Sequence, residues 1–393
     1  MTSKFSPNRS SSLQREDVAS TLLNQTLTAP ELLAPAGSLR NMRYAFAYGA
    51  DAVYAGQPRY SLRVRNNEFS LENLAIGIKE AHALGKKFYV VSNIAPHNSK
   101  LGTYLKDISP VIAMKPDALI MSDPGLIMMV RDAFPEMPIH LSVQANAVNY
   151  ATVKFWQKQG IERVILSREL SLEEIETIRE HVPDMELEVF VHGALCMAYS
   201  GRCLLSGYMN KRDPNQGTCT NACRWSYDVK AGQENETGDI VQANEIDKKG
   251  TAPQMVIPTL GEGTPSTQVF MLEEKEKPGE LMPAFEDEHG TYIMNSKDLR
   301  AVQHVGRLTQ MGVHSLKIEG RTKSHYYCAR TAQVYRKAID DAVAGKPFDS
   351  TLMGSLETLA HRGYTEGFLR RHAHHAYQNY EYGHSVSDKQ QFV

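Results

Sequence analysis

The stretch that decides the fold runs from Glu31 to Gly56, ELLAPAGSLRNMRYAFAYGADAVYAG. It opens and closes on short apolar runs, ELLAPAG and DAVYAG, that read as β-strands. The turn after the first, APAGSLRN, lacks the Gly-x-Gly-x-x-Gly pattern that cradles a dinucleotide in a doubly wound sheet. Working outward, the same kind of run recurs in KFYVVSN from Lys87, DALIMSD from Asp117, PIHLSVQAN from Pro138, RVILSREL from Arg163, LEVFVHG from Leu187 and SLKIEG from Ser315. Between them lie helical patterns such as LENLAIGIKEAHALG, YATVKFWQKQG and SLEEIETIREHV. The last has Ser171 as its cap and Glu174 three residues on. Short apolar strands alternating with helices imply parallel pairing. Eight of them imply an α/β chain folded as a TIM-like (β/α)8 barrel, with an open doubly wound sheet as the alternative.

The seventh unit is interrupted. After LEVFVHG the chain passes through a cysteine-rich window and a polar stretch, Ala231 to Gly250, that reads as a mobile loop. It returns in FEDEHGTYIMNSKDL and a helix LRAVQHVGRLTQMG. The expected organisation is a disordered tail over 1–29, the first part of the barrel over 30–193 and a cysteine-bearing insertion after strand 7 over 194–291. The closing part of the barrel follows over 292–346, then a C-terminal extension over 347–393. An insertion at the C-terminal end of a barrel strand sits over the mouth, where active sites of this fold are built.

The composition is that of a globular enzyme, 42% hydrophobic and 22% charged with formal net charge −2. That balance argues against a protein that coats nucleic acid non-specifically and leaves room for a local basic face. No apolar run approaches the roughly 18 residues of a membrane helix, and the Ser-rich first residues lack the apolar core of an export signal. The expected location is therefore the cytoplasm, where thiols stay reduced.

Four of the five cysteines, Cys196, Cys203, Cys219 and Cys223, fall within residues 191–225. Their spacing, Cys-x6-Cys-x15-Cys-x3-Cys, departs from the two short pairs of a zinc ribbon and is compatible with an iron–sulfur cluster. Buried free thiols and a thiol nucleophile with His192 as its base remain open. Cys328, on an apolar helical pattern, reads as core.

Polar residues at strand C-termini point toward a barrel mouth, which singles out Asn93, Asp123, Gln144, Asn146, Arg168, Glu169, His192, Lys317, Glu319 and Arg321. Asp123, before Pro124, reads as a helix cap. Lys317, Glu319 and Arg321 alternate along one strand and face one way. Three inward charges are costly unless they pair or bind something. We assign His192, Lys317 and Glu319 to chemistry and Arg321, Arg168, Asn146 and Gln144 to substrate binding. In QPRYSLRVRNN, Arg59, Arg63 and Arg65 around Tyr60 suit a phosphate backbone and a splayed base, with Lys211, Arg212 and Arg224 extending that face. FLRRHAHHAYQNYEYG near the end reads as a surface segment.

EVFVHGALCMAYSGRCLLS, Glu188 to Ser206, resembles the signature of the collagenase-like unassigned peptidase family, number thirty-two. The resemblance runs from about Pro30 to Val393 and includes HLSVQANAVN, NKRDPNQGTCTNACRW and SLKIEGRTKS. Within that family the chain is similar to the prephenate-dependent tRNA uridine hydroxylases. That similarity implies a TIM-like barrel, tRNA and prephenate as partners, 5-hydroxyuridine at the wobble position as product, and a 4Fe-4S iron–sulfur cluster on Cys196, Cys203, Cys219 and Cys223. It also implies a small C-terminal β domain past Val393, which this chain does not include. The family's peptidase label and a non-catalytic scaffold of a modification complex are the alternatives. The chain shows no His-Glu-x-x-His zinc motif.

Overall fold

The computed structural model describes residues 27–62, 68–195, 227–234, 240–242, 269–274, 281–284, 286–287, 290–291, 297–361 and 363–370. Among them every strand of the expected barrel is present: β1 Glu31–Pro35, β2 Ala52–Gly56, β3 Lys87–Ser92, β4 Ala118–Met121, β5 Ile139–Leu141, β6 Arg163–Ile165, β7 Glu186–Ala194 and β8 Ser315–Ile318. Each pairs in parallel with the next, and β8 pairs with both β7 and β1, so the sheet closes. Such strands are covered on both faces and read as apolar runs. Accordingly β2, β4, β5, β6 and β8 are buried throughout.

The outer ring consists of α1 Leu39–Ala47, α2 Leu71–Ala83, α3 Asn98–Ala113, α4 Pro124–Ala133, α5 Tyr150–Lys158, α6 Leu172–His181, α7 Val305–Gln310 and α8 His325–Val343. Six of these begin at a side-chain cap. Ser38, Ser70, Asp123, Asn149, Ser171 and Ser324 each accept from the backbone N–H three residues on, satisfying donors that the first turn leaves open. At Ser171 the box is complete, because Glu174 accepts in return from the Ser171 N–H at 2.8 Å.

Two expectations change around the insertion. The run LRAVQHVGRLTQMG is not one helix. It divides into a strand Asp298–Arg300, a 3-10 turn Val302–His304 and α7. The strand is captured by the long C-terminal end of β7, pairing antiparallel as Asp298↔Ala194, Leu299↔Gly193 and Arg300↔His192, and the Ala301 N–H follows onto Val191 O at 2.9 Å. That pairing outweighs the local helical spacing. Nor is the polar stretch from Ala231 a loop throughout. Strands Tyr227–Glu234 and Ile240–Gln242 join Val269–Glu274 and Leu281–Ala284 in a four-stranded antiparallel sheet. No helix of the described residues is long and apolar enough to cross a membrane.

Candidate active site at the barrel mouth

The C-terminal end of the barrel gathers three cations around two aromatic rings. Lys317 points inward from β8, with Nζ 4.3 Å from the ring centre of Tyr54 on β2 and 5.5 Å from that of Phe190 on β7. Arg321, just past β8, lies 5.7 Å from the same Tyr54 ring and donates from Nη1 to Ser61 Oγ at 2.8 Å. Arg168 stacks on Phe190 at 3.8 Å and donates to Ala194 O at 3.0 Å. Cations over ring faces are attracted by the ring quadrupole. Tyr54 is itself fixed, because its hydroxyl donates to Ile318 O at 2.9 Å. Glycine is required where β2 ends: a Cβ on Gly56 would fall 2.6 Å from Ser61 Oγ and 2.7 Å from Arg321 Nη1. Lys317 and Arg321 are both buried, so their charges act in a poorly screened environment suited to receiving an anion.

Beneath the mouth a ladder of buried charge descends to the floor of the barrel. Glu188, wholly shielded from solvent, accepts from Lys317 Nζ at 2.7 Å and lies 3.3 Å from Arg163 Nη1. Arg163 continues to Glu31 at 2.6 Å and Glu186 at 2.7 Å. Tyr89 donates to Glu31 at 2.7 Å. Burial alone would raise the Glu31 carboxyl, but the charge and hydrogen bond of Arg163, the Tyr89 hydroxyl and Lys87 hold it below its ordinary value. For Lys317 burial wins and its pKa is lowered, with Glu188 opposing the shift. His140, its ring 4.7 Å from that of Tyr89, is pushed far down by burial and by Arg163, Lys317 and Lys87.

His192 is not with these groups. Glu188 and Phe190 face inward, and simple alternation would bring His192 inward too. The β7–β8 register shifts between Lys317 and Ile318, so that His192 stands opposite Ile318. Its ring instead packs among Tyr327, Tyr335 and Tyr364, at 5.8, 5.5 and 5.5 Å, with Nδ1 3.3 Å from the Tyr335 hydroxyl. Burial, aided by Lys323, Arg300 and His361 against Asp298, lowers its pKa to about 3. Glu319 stays at the barrel rim, partly exposed, its N–H donating to His192 O at 2.8 Å and its O accepting from Tyr327 at 2.8 Å.

The remaining mouth candidates are mostly braces. Asn93 accepts from the Leu62 N–H at 3.3 Å and donates to Ser142 Oγ at 3.2 Å. Asp123 caps α4. Gln144 lies in the 3-10 turn Val143–Ala145, and Asn146 ends it in the left-handed region at φ 53°, donating to Gln144 O at 2.9 Å. Glu169 accepts from the Ser167 hydroxyl. Arg59 pairs with Asp107 at 2.7 Å. Tyr60 offers no ring to a splayed base. It is fully buried edge-on to Tyr104 at 4.9 Å, its hydroxyl donating to Asp107 at 2.8 Å. The apolar value of burying that ring exceeds its value on a loop surface.

Arg63, Arg65, Lys211, Arg212, Arg224 and the cysteines Cys196, Cys203, Cys219 and Cys223 lie outside the described residues, as does most of FLRRHAHHAYQNYEYG. Cys328 is core as expected, its buried thiol donating to Pro35 O at 3.5 Å, so the window holds the chain's other thiols. Among the described residues no three His, Cys, Asp or Glu side chains group to hold a metal. The expectations missed Glu188, Arg163, Tyr54 and Phe190. The two-residue alternation that flagged Lys317 also places Glu188 and Phe190 on one face of β7.

Residues 37–379 match Peptidase family U32. The tRNA hydroxylation protein P of Escherichia coli is 77% identical over 364 residues, covering 93% of this chain and 80% of that protein. Its namesake in Haemophilus influenzae is 74% identical over 368 residues, 93% of this chain and 79% of that protein. The 23S rRNA 5-hydroxycytidine C2501 synthase of Escherichia coli is 29% identical over 349 residues, 86% of this chain and 45% of that protein. The chain belongs to peptidase family U32.

Proposed function

We propose that this chain is an RNA-modifying enzyme that hydroxylates tRNA, forming 5-hydroxyuridine at the wobble uridine with prephenate as the source of the hydroxyl. The observation that carries the reading is 74–77% identity, over 93% of this chain, to two proteins named for tRNA hydroxylation, with an rRNA hydroxycytidine synthase among the more distant relatives. The mouth supports it chemically. Prephenate bears two carboxylates, and Arg321 and Lys317 form a buried cationic pair around one tyrosine ring, the environment in which a carboxylate is held by charge-assisted hydrogen bonds.

Cys196, Cys203, Cys219 and Cys223 would hold an iron–sulfur cluster, four thiolates being its usual ligand set. When bound, such a cluster supplies redox-active, Lewis-acidic iron. The chain's own residues bind and orient: Arg321 and Lys317 take the anion, Arg168 and Phe190 border it, and the ladder from Glu188 to Glu31 fixes the positive charge. A thiol-peptidase reading needs His192 as a base for Cys196. Its ring is instead enclosed by three tyrosines and held neutral, which gives that reading no support.

The test is anaerobic purification with iron and acid-labile sulfide measured beside a Cys219→Ala, Cys223→Ala variant, followed by nucleoside analysis of tRNA incubated with each. Iron and sulfide lost in the variant together with 5-hydroxyuridine formation are the expected outcome. A well-folded protein that contains no iron and still modifies tRNA contradicts the cluster. An iron-replete protein that leaves tRNA unmodified contradicts the activity.

A further inference from the structure

We propose that Glu188 is a positioning residue for the mouth: its buried carboxylate keeps the Lys317 ammonium charged and in place, so that Lys317 and Arg321 act together as a two-cation receptor for a carboxylate of the co-substrate. The inference rests on the reading of the mouth given above. Lys317 is enclosed by Glu188 and Phe190 from β7, Tyr54 from β2, Arg163 from β6, His140 from β5 and Arg321 from the turn after β8. Of these only Glu188 is anionic, and its contact with Nζ is 2.7 Å. Burial, Arg321 and Arg163 all press the ammonium toward neutrality, and the Glu188 carboxylate opposes them.

Stability does not account for this arrangement. Well-packed apolar residues replace buried ion pairs at little or no cost, and β7 and β8 are otherwise apolar at this depth. What an apolar pair cannot do is present a positive charge beside Arg321. Arg163 completes the device from below: Glu31 and Glu186 neutralise it, so it anchors Glu188 without drawing that carboxylate away from Lys317.

With Glu188 made neutral, Lys317 loses the counter-charge it has among the described residues, and its charged fraction falls as pH rises through a lowered pKa. The experiment titrates prephenate into cluster-loaded protein between about pH 6.5 and 8.5, a window that buried lysines reach when desolvated. The wild type should change by less than about threefold. Glu188→Gln should bind normally at the low end and lose about tenfold or more at the high end. Glu188→Asp should restore a flat profile, and Lys317→Met should bind weakly at every pH.

A flat, wild-type-like profile in Glu188→Gln beside a weak Lys317→Met overturns the role of Glu188 while leaving the mouth as the prephenate site. Wild-type affinity in both Lys317→Met and Arg321→Met overturns the receptor itself. Should Glu188→Gln unfold, the Glu188→Gln, Lys317→Met double variant decides the matter. Affinity equal to that of Lys317→Met supports the coupling, and a further pH-independent loss overturns it.

Discussion

Gly56 constrains the mouth closely, because any side chain there enters the space of Ser61 and Arg321. Gly56→Ala is expected to leave the barrel folded while displacing the guanidinium, raising KM for prephenate about tenfold, the worth of one charge-assisted hydrogen bond. Steady-state kinetics with prephenate varied and tRNA saturating check it. His192 makes a prediction of the opposite kind. Its folded pKa, about 3, lies below its unfolded value, so the stability it contributes is complete above about pH 6.5 and is lost as pH falls toward 3. Between pH 6.5 and 5 this amounts to about 2 kcal/mol. Urea unfolding of His192→Phe should show a shallower loss over that interval than the wild type. Equal slopes would mean that the ring is charged in the fold.

At the scale of elements, the barrel was legible because parallel strands buried on both faces must be apolar runs, and all eight runs fold as strands. The misreadings share a cause, since each depended on a partner distant in sequence. Leu299 reads as helical until the end of β7 offers it an edge. His192 reads as mouth-facing until a register shift against β8 turns it away. Glu31, Arg163 and Glu186 open their strands and resemble solvated ends. Pairing of β6 with β7 sets Arg163 beside Glu186, and barrel closure brings Glu31 across to the same guanidinium. Arg163→Leu should therefore destabilise by about 3–5 kcal/mol, since it strands buried carboxylates. Ser171→Ala, which removes one cap from α6, should cost about 1 kcal/mol. Urea unfolding of both variants measures the contrast. Comparable losses would show that the ladder is solvated.

For the whole molecule, the barrel carries a graded interior, from a charge-paired floor of Glu31, Arg163 and Glu186 to a cationic mouth of Lys317, Arg321 and Arg168. The strand alternation in SLKIEGRTKS announced that mouth in the sequence, whereas its pairing with Glu188 emerged only with the fold. β7 links the two levels: Glu188 and Phe190 line the interior, and beyond Ala194 the chain runs on toward Cys196. Prephenate-dependent hydroxylation is tested most directly by the nucleoside composition of wobble-uridine tRNA after incubation with the iron-replete protein under strict exclusion of dioxygen, with and without prephenate. 5-Hydroxyuridine is expected only when prephenate is present, and is expected to be lost in Arg321→Met. Formation without prephenate, or no product from an iron-replete protein supplied with it, would contradict this expectation.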